Sequence, residues 1–60
     1  MTNQEVINEF RQGAALIRKT SAVGQKSAYG RAYAAGGDSN AKTIEGIAND
    51  IEEALQETTA

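Results

Sequence analysis

The sequence contains no cysteine, no histidine and no proline among its 60 residues. Without cysteine no disulfide forms, and without cysteine or histidine the thiolate and imidazole ligands of most protein-bound zinc are missing. The same two absences remove the commonest general base and the best thiol nucleophile of enzymes. We therefore predict that the protein is not an enzyme, and that it uses no cofactor and no metal ion.

The remaining candidates for chemistry are weak. Lys19 with Thr20, and Lys26 with Ser27, place a hydroxyl beside an amine, but such neighbours occur by chance in most proteins and need a pocket to act. The stretch that begins with Gly36 and Gly37 lacks the Gly-Lys-Ser/Thr sequence that ends a phosphate-binding loop. It also lacks the spaced acidic ligands of a calcium-binding loop. This stretch therefore predicts a turn between helices.

The length limits the size of any core. Sixty residues form one domain at most, and we expect residues 1–60 to be a single small helical domain. A chain of this length buries only about 60% of the surface that its unfolded form exposes. Without a disulfide or a metal ion, its stability is expected to depend on a partner, which is either another protein or a second copy of the chain.

No apolar run approaches the roughly 20 residues that cross a bilayer. The first five residues also lack the positive and apolar regions of a signal peptide. We therefore predict no membrane span, and a cytoplasmic or virion-associated location.

The absence of proline and the abundance of alanine favour helix, and no segment alternates like a strand. Thr2 and Glu5 have the spacing of a capping box, which predicts the start of a first helix. Gly24 is a candidate for a left-handed residue at its end, so this helix is expected over about 3–23. Ile7, Phe10 and Ile17 form its apolar stripe.

Leu16 and Val23 lie almost opposite Ile7 on a helical wheel. A helix with apolar residues on two faces either contacts two neighbours or breaks near residue 20, and both alternatives stay open.

The rest of the chain predicts one or two further helices. Residues 25–35 are expected to form a short helix, with a partly extended segment or ordering only on binding as the alternatives, and residues 36–40 are the clearest break. A last helix is expected over about 40–57. The fold class is all-α, as a small helical hairpin or a three-helix arrangement (about 3–23, 25–35 and 40–57) completed by self-association or by a partner.

Charge divides the chain into two halves. Residues 1–31 carry five Lys or Arg against two Glu, which is a net +3, and residues 32–60 carry one Lys against six Asp or Glu, which is a net −5. The halves either fold back and neutralise each other, within one chain or between copies, or one of them faces a charged partner.

We therefore expect a noncatalytic protein-interaction protein. It acts by self-assembly, as a virion or filament subunit, or as a small inhibitor or adaptor of a larger protein. The predicted interface residues are Ile7, Phe10, Ile17, Tyr29, Tyr33, Ile44, Ile47, Ile51 and Leu55. The alternative is a nucleic-acid-binding accessory protein, in which the basic half contacts phosphates and tyrosines stack on bases. Its predicted contacts are Arg11, Arg18, Lys19, Lys26 and Arg31.

Overall fold

A computed structural model describes the backbone of residues 1–59 and the side chains of residues 1–57. It contains two helices, α1 (Asn3–Ser21) and α2 (Ala28–Thr59), joined by residues 22–27. The helices pack against each other as an antiparallel hairpin that measures 49 × 18 × 9 Å between Cα atoms. The predicted all-α hairpin is confirmed. It is a layer only one helix thick.

The start of α1 is the predicted capping box. The Thr2 hydroxyl accepts from the Glu5 backbone N–H at 3.1 Å, and the Glu5 carboxylate accepts from the Thr2 backbone N–H at 3.0 Å. These two bonds pair backbone donors that have no partner inside the helix. The hydrogen bond from the Thr2 backbone also lowers the pKa of Glu5 below its ordinary value.

The end of α1 differs from the prediction by two residues. Gly24 has the predicted left-handed conformation, with φ of 77°, but the helix already ends at Ser21. The chain then turns back, because the Ser27 backbone N–H donates to the Gly24 carbonyl at 3.3 Å. Val23 therefore lies in the connection. Of the two alternatives, contact with two neighbours or a break near residue 20, the structure shows the break.

The three-helix arrangement is wrong. Residues 36–40, predicted as a break, are helical, and residues 28–35 are the first turns of one continuous 32-residue helix. Each glycine costs about 1 kcal/mol of helix propensity, but tertiary packing routinely overrides propensity. Gly37 is buried against the side chain of Ser21, so its missing side chain serves the helix contact and not a turn.

The helices meet along a seam of small residues. Ala14, Ala41 and Ala48 are fully buried, and Ser21 is buried with its hydroxyl donating to the Ile17 carbonyl at 2.7 Å. Small side chains at the contact let two helix axes approach closely, which shortens the distance between backbones.

The seam of α2 follows the spacing of a coiled coil. Its members alternate at intervals of four and three residues, and none of them is exposed. This 3.5-residue repeat keeps one stripe facing the partner helix and favours a left-handed supercoil. The members are Gly30, Ala34, Gly37, Ala41, Ile44, Ala48, Ile51 and Leu55.

Neither helix, within the residues that the structure describes, combines the length and the apolar character that crossing a membrane requires.

Candidate protein-interaction surfaces

The hairpin has two broad faces, because a layer of two helices leaves both sides of its seam open. We call them the polar face and the apolar face. The polar face is defined by the side chains that form ion pairs between the helices. The apolar face is defined by the side chains that line two shallow grooves on the other side of the seam.

Arg18 is the centre of the polar face. Its Nε donates to Asp38 at 2.9 Å, and its two terminal nitrogens donate to both oxygens of Glu45, one of them at 2.9 Å. Asp38 also pairs with Lys42 at 3.3 Å. The hydrogen bonds from Arg18 hold the pKa values of Asp38 and Glu45 below their ordinary range, and they raise the pKa of Arg18.

Arg11 repeats this arrangement two turns away. Its guanidinium donates to the two oxygens of Glu52 at 3.1 and 3.3 Å, and to the amide oxygen of Asn49 at 3.1 Å. Two parallel bonds between guanidinium and carboxylate fix the relative position of the groups as well as adding attraction. The pair therefore helps to set the register of α1 against α2.

The ion pairs follow the heptad. Arg11 and Arg18 are seven residues apart, as are Asp38, Glu45 and Glu52, so each set lies on one side of its helix. Part of the opposite charge of the two sequence halves is thus neutralised within one chain.

The apolar face carries two grooves in line. The first, of about 360 Å³, is lined by Val6, Glu9, Phe10, Gly13 and Ile44. The second lies toward the connection, has a volume of about 410 Å³ and is less apolar. It is lined by Ile17, Thr20, Ser21, Ala32, Tyr33, Gly36, Gly37 and Asn40.

Two further isoleucines extend this face along α2. At 100° per residue, Ile47 and Ile51 lie one and two turns beyond Ile44 on the same side of the seam. Ile51 is half-buried, whereas Ile47 is 43% exposed. Among the described side chains Ile7 is the only large one that is fully buried, so most of the large apolar side chains contact solvent.

The predicted interface residues fall into two groups. Ile7, Ile44, Ile51 and Leu55 lie in the seam, where Ile7 is fully buried and the other three are half-buried, and Ile44 also lines the first groove. The others lie along the apolar face, and the tyrosines are the most exposed, Tyr29 at 82% and Tyr33 at 55%. Phe10 and Ile17 are half-buried.

Sequence reasoning missed three residues of the first groove, Val6, Glu9 and Gly13. Val6 borders the predicted stripe, and its spacing of four and seven from Phe10 and Gly13 places all three on one side of α1. That spacing was the available signal. Leu16 is 60% exposed and lies on the outer edge of α1, away from α2.

The five predicted nucleic-acid contacts do not form one surface. Arg11 and Arg18 hold carboxylates on the polar face. Lys19, Lys26 and Arg31 are exposed around the connection, where Arg31 donates to the carbonyls of residues 25 and 26 at 3.4 Å.

No group of three acidic side chains in the described part of the chain is arranged to hold a metal ion. No family model, no curated protein and no solved structure matches the chain.

Proposed function

We propose that this hairpin is a noncatalytic protein-interaction protein that docks through its apolar face. The observation that supports the proposal is the difference between its two faces. One face pairs its charges across the seam, whereas the other presents isoleucine, valine and aromatic side chains that α1 and α2 do not cover. Contiguous apolar surface of this kind marks interaction sites on small proteins.

The polar face has the opposite character. Its guanidinium and carboxylate groups already form hydrogen bonds with one another. A partner that covered this face would have to remove these ion pairs from water, which costs free energy, and could offer them few new hydrogen bonds. Docking through the apolar face removes apolar area from water at about 25 cal/mol per Å² and breaks none of these bonds. The apolar face is therefore the better docking surface.

Two kinds of partner are consistent with this surface. In the first, copies of the chain associate, as in a virion or filament subunit. In the second, the hairpin covers an apolar patch on a larger protein, as a small inhibitor or adaptor. Both uses require the same side chains, because in both the free energy of binding comes from Phe10, Ile44, Ile47 and their neighbours.

The test compares three tagged proteins: the unsubstituted chain, Ile47→Glu on the apolar face, and Leu16→Glu on the outer edge of α1. Both substitutions place a carboxylate at an exposed apolar position, so they differ mainly in location. We expect the unsubstituted chain and Leu16→Glu to bind the same purified protein, which is either a second copy of the chain or a different protein. Ile47→Glu should not bind that protein. Equal retention by all three proteins, or binding to no protein by any of them, contradicts the proposal.

Nucleic-acid binding is the second candidate, and the exposed basic residues around the connection favour it. Lys26 and Arg31 lie within three residues of the exposed Tyr29 in the sequence, and Lys19 is exposed near the end of α1. Cations beside an exposed aromatic ring suit the binding of a single strand. It has less support, because Arg11 and Arg18 are engaged within the chain. Its test is binding to single- and double-stranded DNA and RNA at low salt, where no detectable binding rejects it.

A further inference from the structure

The folded hairpin is electrically polar along its length. The half nearer the connection (residues 14–45, the loop half) carries five Lys or Arg against two Asp or Glu, a net side-chain charge of +3. The other half (residues 1–13 and 46–59, the open half) carries one Arg against six Asp or Glu, a net charge of −5. The ion pairs across the seam do not remove this separation, because each of them joins side chains at the same level.

The dimensions of the hairpin limit which partner can cover it. The layer is 49 Å long and 18 Å wide between Cα atoms, so a rectangle that encloses both helices covers about 900 Å². A standard protein–protein interface buries about 800 Å² on each partner. A partner must therefore be as flat and as long as the hairpin, and cover nearly all of one face, to reach that size.

A second copy of the chain is such a partner, and two-fold symmetry allows it to stack in two ways. In the first, the two connections lie at the same end, so that like-charged halves face each other. In the second, the connections lie at opposite ends, so that each loop half of net +3 covers an open half of net −5. Charge complementarity favours the second arrangement, since like charges in juxtaposition are penalised.

Glu9 distinguishes the same two arrangements locally, because its side chain lines the first groove on the apolar face. With the connections at the same end, α1 stacks on α2 of the second copy. Because Arg11 meets Asn49 and Glu52, Glu9 then lies near the level of the acidic Asp50 of the second copy. With the connections at opposite ends, α1 stacks on α1, and Glu9 lies toward the end that carries Lys19 and Lys26. The local and the overall charges favour the same orientation.

We propose that two copies of this chain associate through their apolar faces, with their connections at opposite ends, to form an antiparallel four-helix bundle. This inference rests on the proposed function and names its partner. In the bundle α2 stacks on α2 of the second copy, and the two-fold axis passes near Ile44, the midpoint of α2. The half-exposed isoleucines then form the core that a single hairpin lacks.

The first experiment measures mass by sedimentation equilibrium from micromolar to millimolar chain concentration. We expect the unsubstituted chain and Leu16→Glu to reach twice the 6.3 kDa chain mass. Ile47→Glu should weaken association on the order of a hundredfold or more, because each dimer loses the burial of the exposed part of two isoleucine side chains and would have to desolvate two carboxylates. Circular dichroism shows whether Ile47→Glu keeps its helices as a monomer. If it unfolds, the milder Ile47→Ser takes its place.

The second experiment measures orientation. The chain contains no cysteine, so Gln25→Cys, at an exposed and uncharged position in the connection, takes a single spin label without changing the charge of either half, and pulsed electron paramagnetic resonance gives the label-to-label distance in the dimer. We expect a distance approaching the 49 Å length of the hairpin. Labels that lie within about half that length mean that the connections are at the same end, and they overturn the proposed orientation.

The outcomes separate this inference from the proposed function. A 6.3 kDa species at every concentration overturns the homodimer. If that monomer binds a different purified protein, and Ile47→Glu but not Leu16→Glu abolishes the binding, the proposed function stands without the homodimer. If it binds no protein, both fail. A dimer that survives Ile47→Glu overturns the apolar face as its interface.

Discussion

Ser21 of α1 lies so close to Gly37 of α2 that a methyl group on Gly37 would overlap both the Cβ and the Oγ of Ser21. Both residues are buried, and the Ser21 hydroxyl donates to a carbonyl of its own helix, so the contact leaves no polar group unpaired. The approach of the two backbones at this level depends on the absence of a side chain at residue 37.

This contact predicts opposite effects for two adjacent glycines. Gly37→Ala should destabilise the hairpin by about 1–3 kcal/mol, because the added methyl group overpacks the seam. Gly36→Ala should stabilise it by up to about 1 kcal/mol, because no atom lies near the added methyl group and alanine is the better helix former. Urea unfolding followed by circular dichroism measures both changes.

A double substitution checks the cause. Replacing Ser21 by glycine removes both atoms that the new methyl group would overlap, so Gly37→Ala should cost less in the Ser21→Gly background than in the unsubstituted chain. Equal costs in the two backgrounds would show that the effect of Gly37→Ala does not arise at this contact.

The capping box at the start of α1 gives a second prediction. Thr2→Ala should lower the free energy of unfolding by about 1 kcal/mol, because the Glu5 backbone N–H loses its acceptor. Thr2→Ser keeps a hydroxyl at the same place and should cost only a few tenths of a kcal/mol. If Thr2→Ser costs as much as Thr2→Ala, the threonine methyl group, and not the hydrogen bond, carries the effect.

The polar face gives a third prediction, which concerns pH. Asp38 and Glu45 have pKa values below their ordinary 3.8 and 4.5 in the folded chain, chiefly because Arg18 donates hydrogen bonds to them. A carboxylate whose pKa is lower when folded binds fewer protons in the folded state. Its contribution to stability is therefore present above the unfolded pKa and is lost as the pH falls through the folded value.

We thus expect the urea midpoint of the unsubstituted chain to fall as the pH drops below about 4.5. Glu45→Gln should lower the midpoint at pH 7, and the difference between the two proteins should shrink toward zero in acid. A difference that is the same at pH 7 and at pH 2 would mean that the charge of Glu45 does not contribute.

Local signals predicted the parts of the fold that local chemistry determines. The spacing of Thr2 and Glu5 predicted the start of α1, and the stripe from Ile7 to Ile17 predicted its packed side. The same reasoning failed at residues 36–40, because glycine allows both a turn and a close helix contact. Only the position of Ser21 across the seam distinguishes these two uses of Gly37.

The two faces were harder to predict than the helices. Apolar character predicts interface residues, but it does not distinguish the seam, where Ile7 lies, from the apolar face, where Ile47 lies. That distinction depends on the register between α1 and α2. The register also decides that Arg18 meets Glu45, so that a residue predicted to contact nucleic acid is engaged within the chain.

The last prediction uses protein concentration to detect whether the apolar face is covered. In an isolated hairpin Ile7→Ala should cost about 2–5 kcal/mol, because this side chain is fully buried. Ile47→Ala should cost much less, because Ile47 is 43% exposed.

A partner that binds only the folded chain raises its apparent stability by mass action, so a homodimer makes stability depend on chain concentration. We therefore expect the midpoint temperature of thermal unfolding to rise with concentration for the unsubstituted chain and for Leu16→Glu, and to stay constant for Ile47→Glu. The cost of Ile47→Ala should increase over the same range, as the side chain becomes buried between copies. A midpoint temperature independent of concentration, together with a small cost of Ile47→Ala throughout, would show that the apolar face stays open in the purified protein.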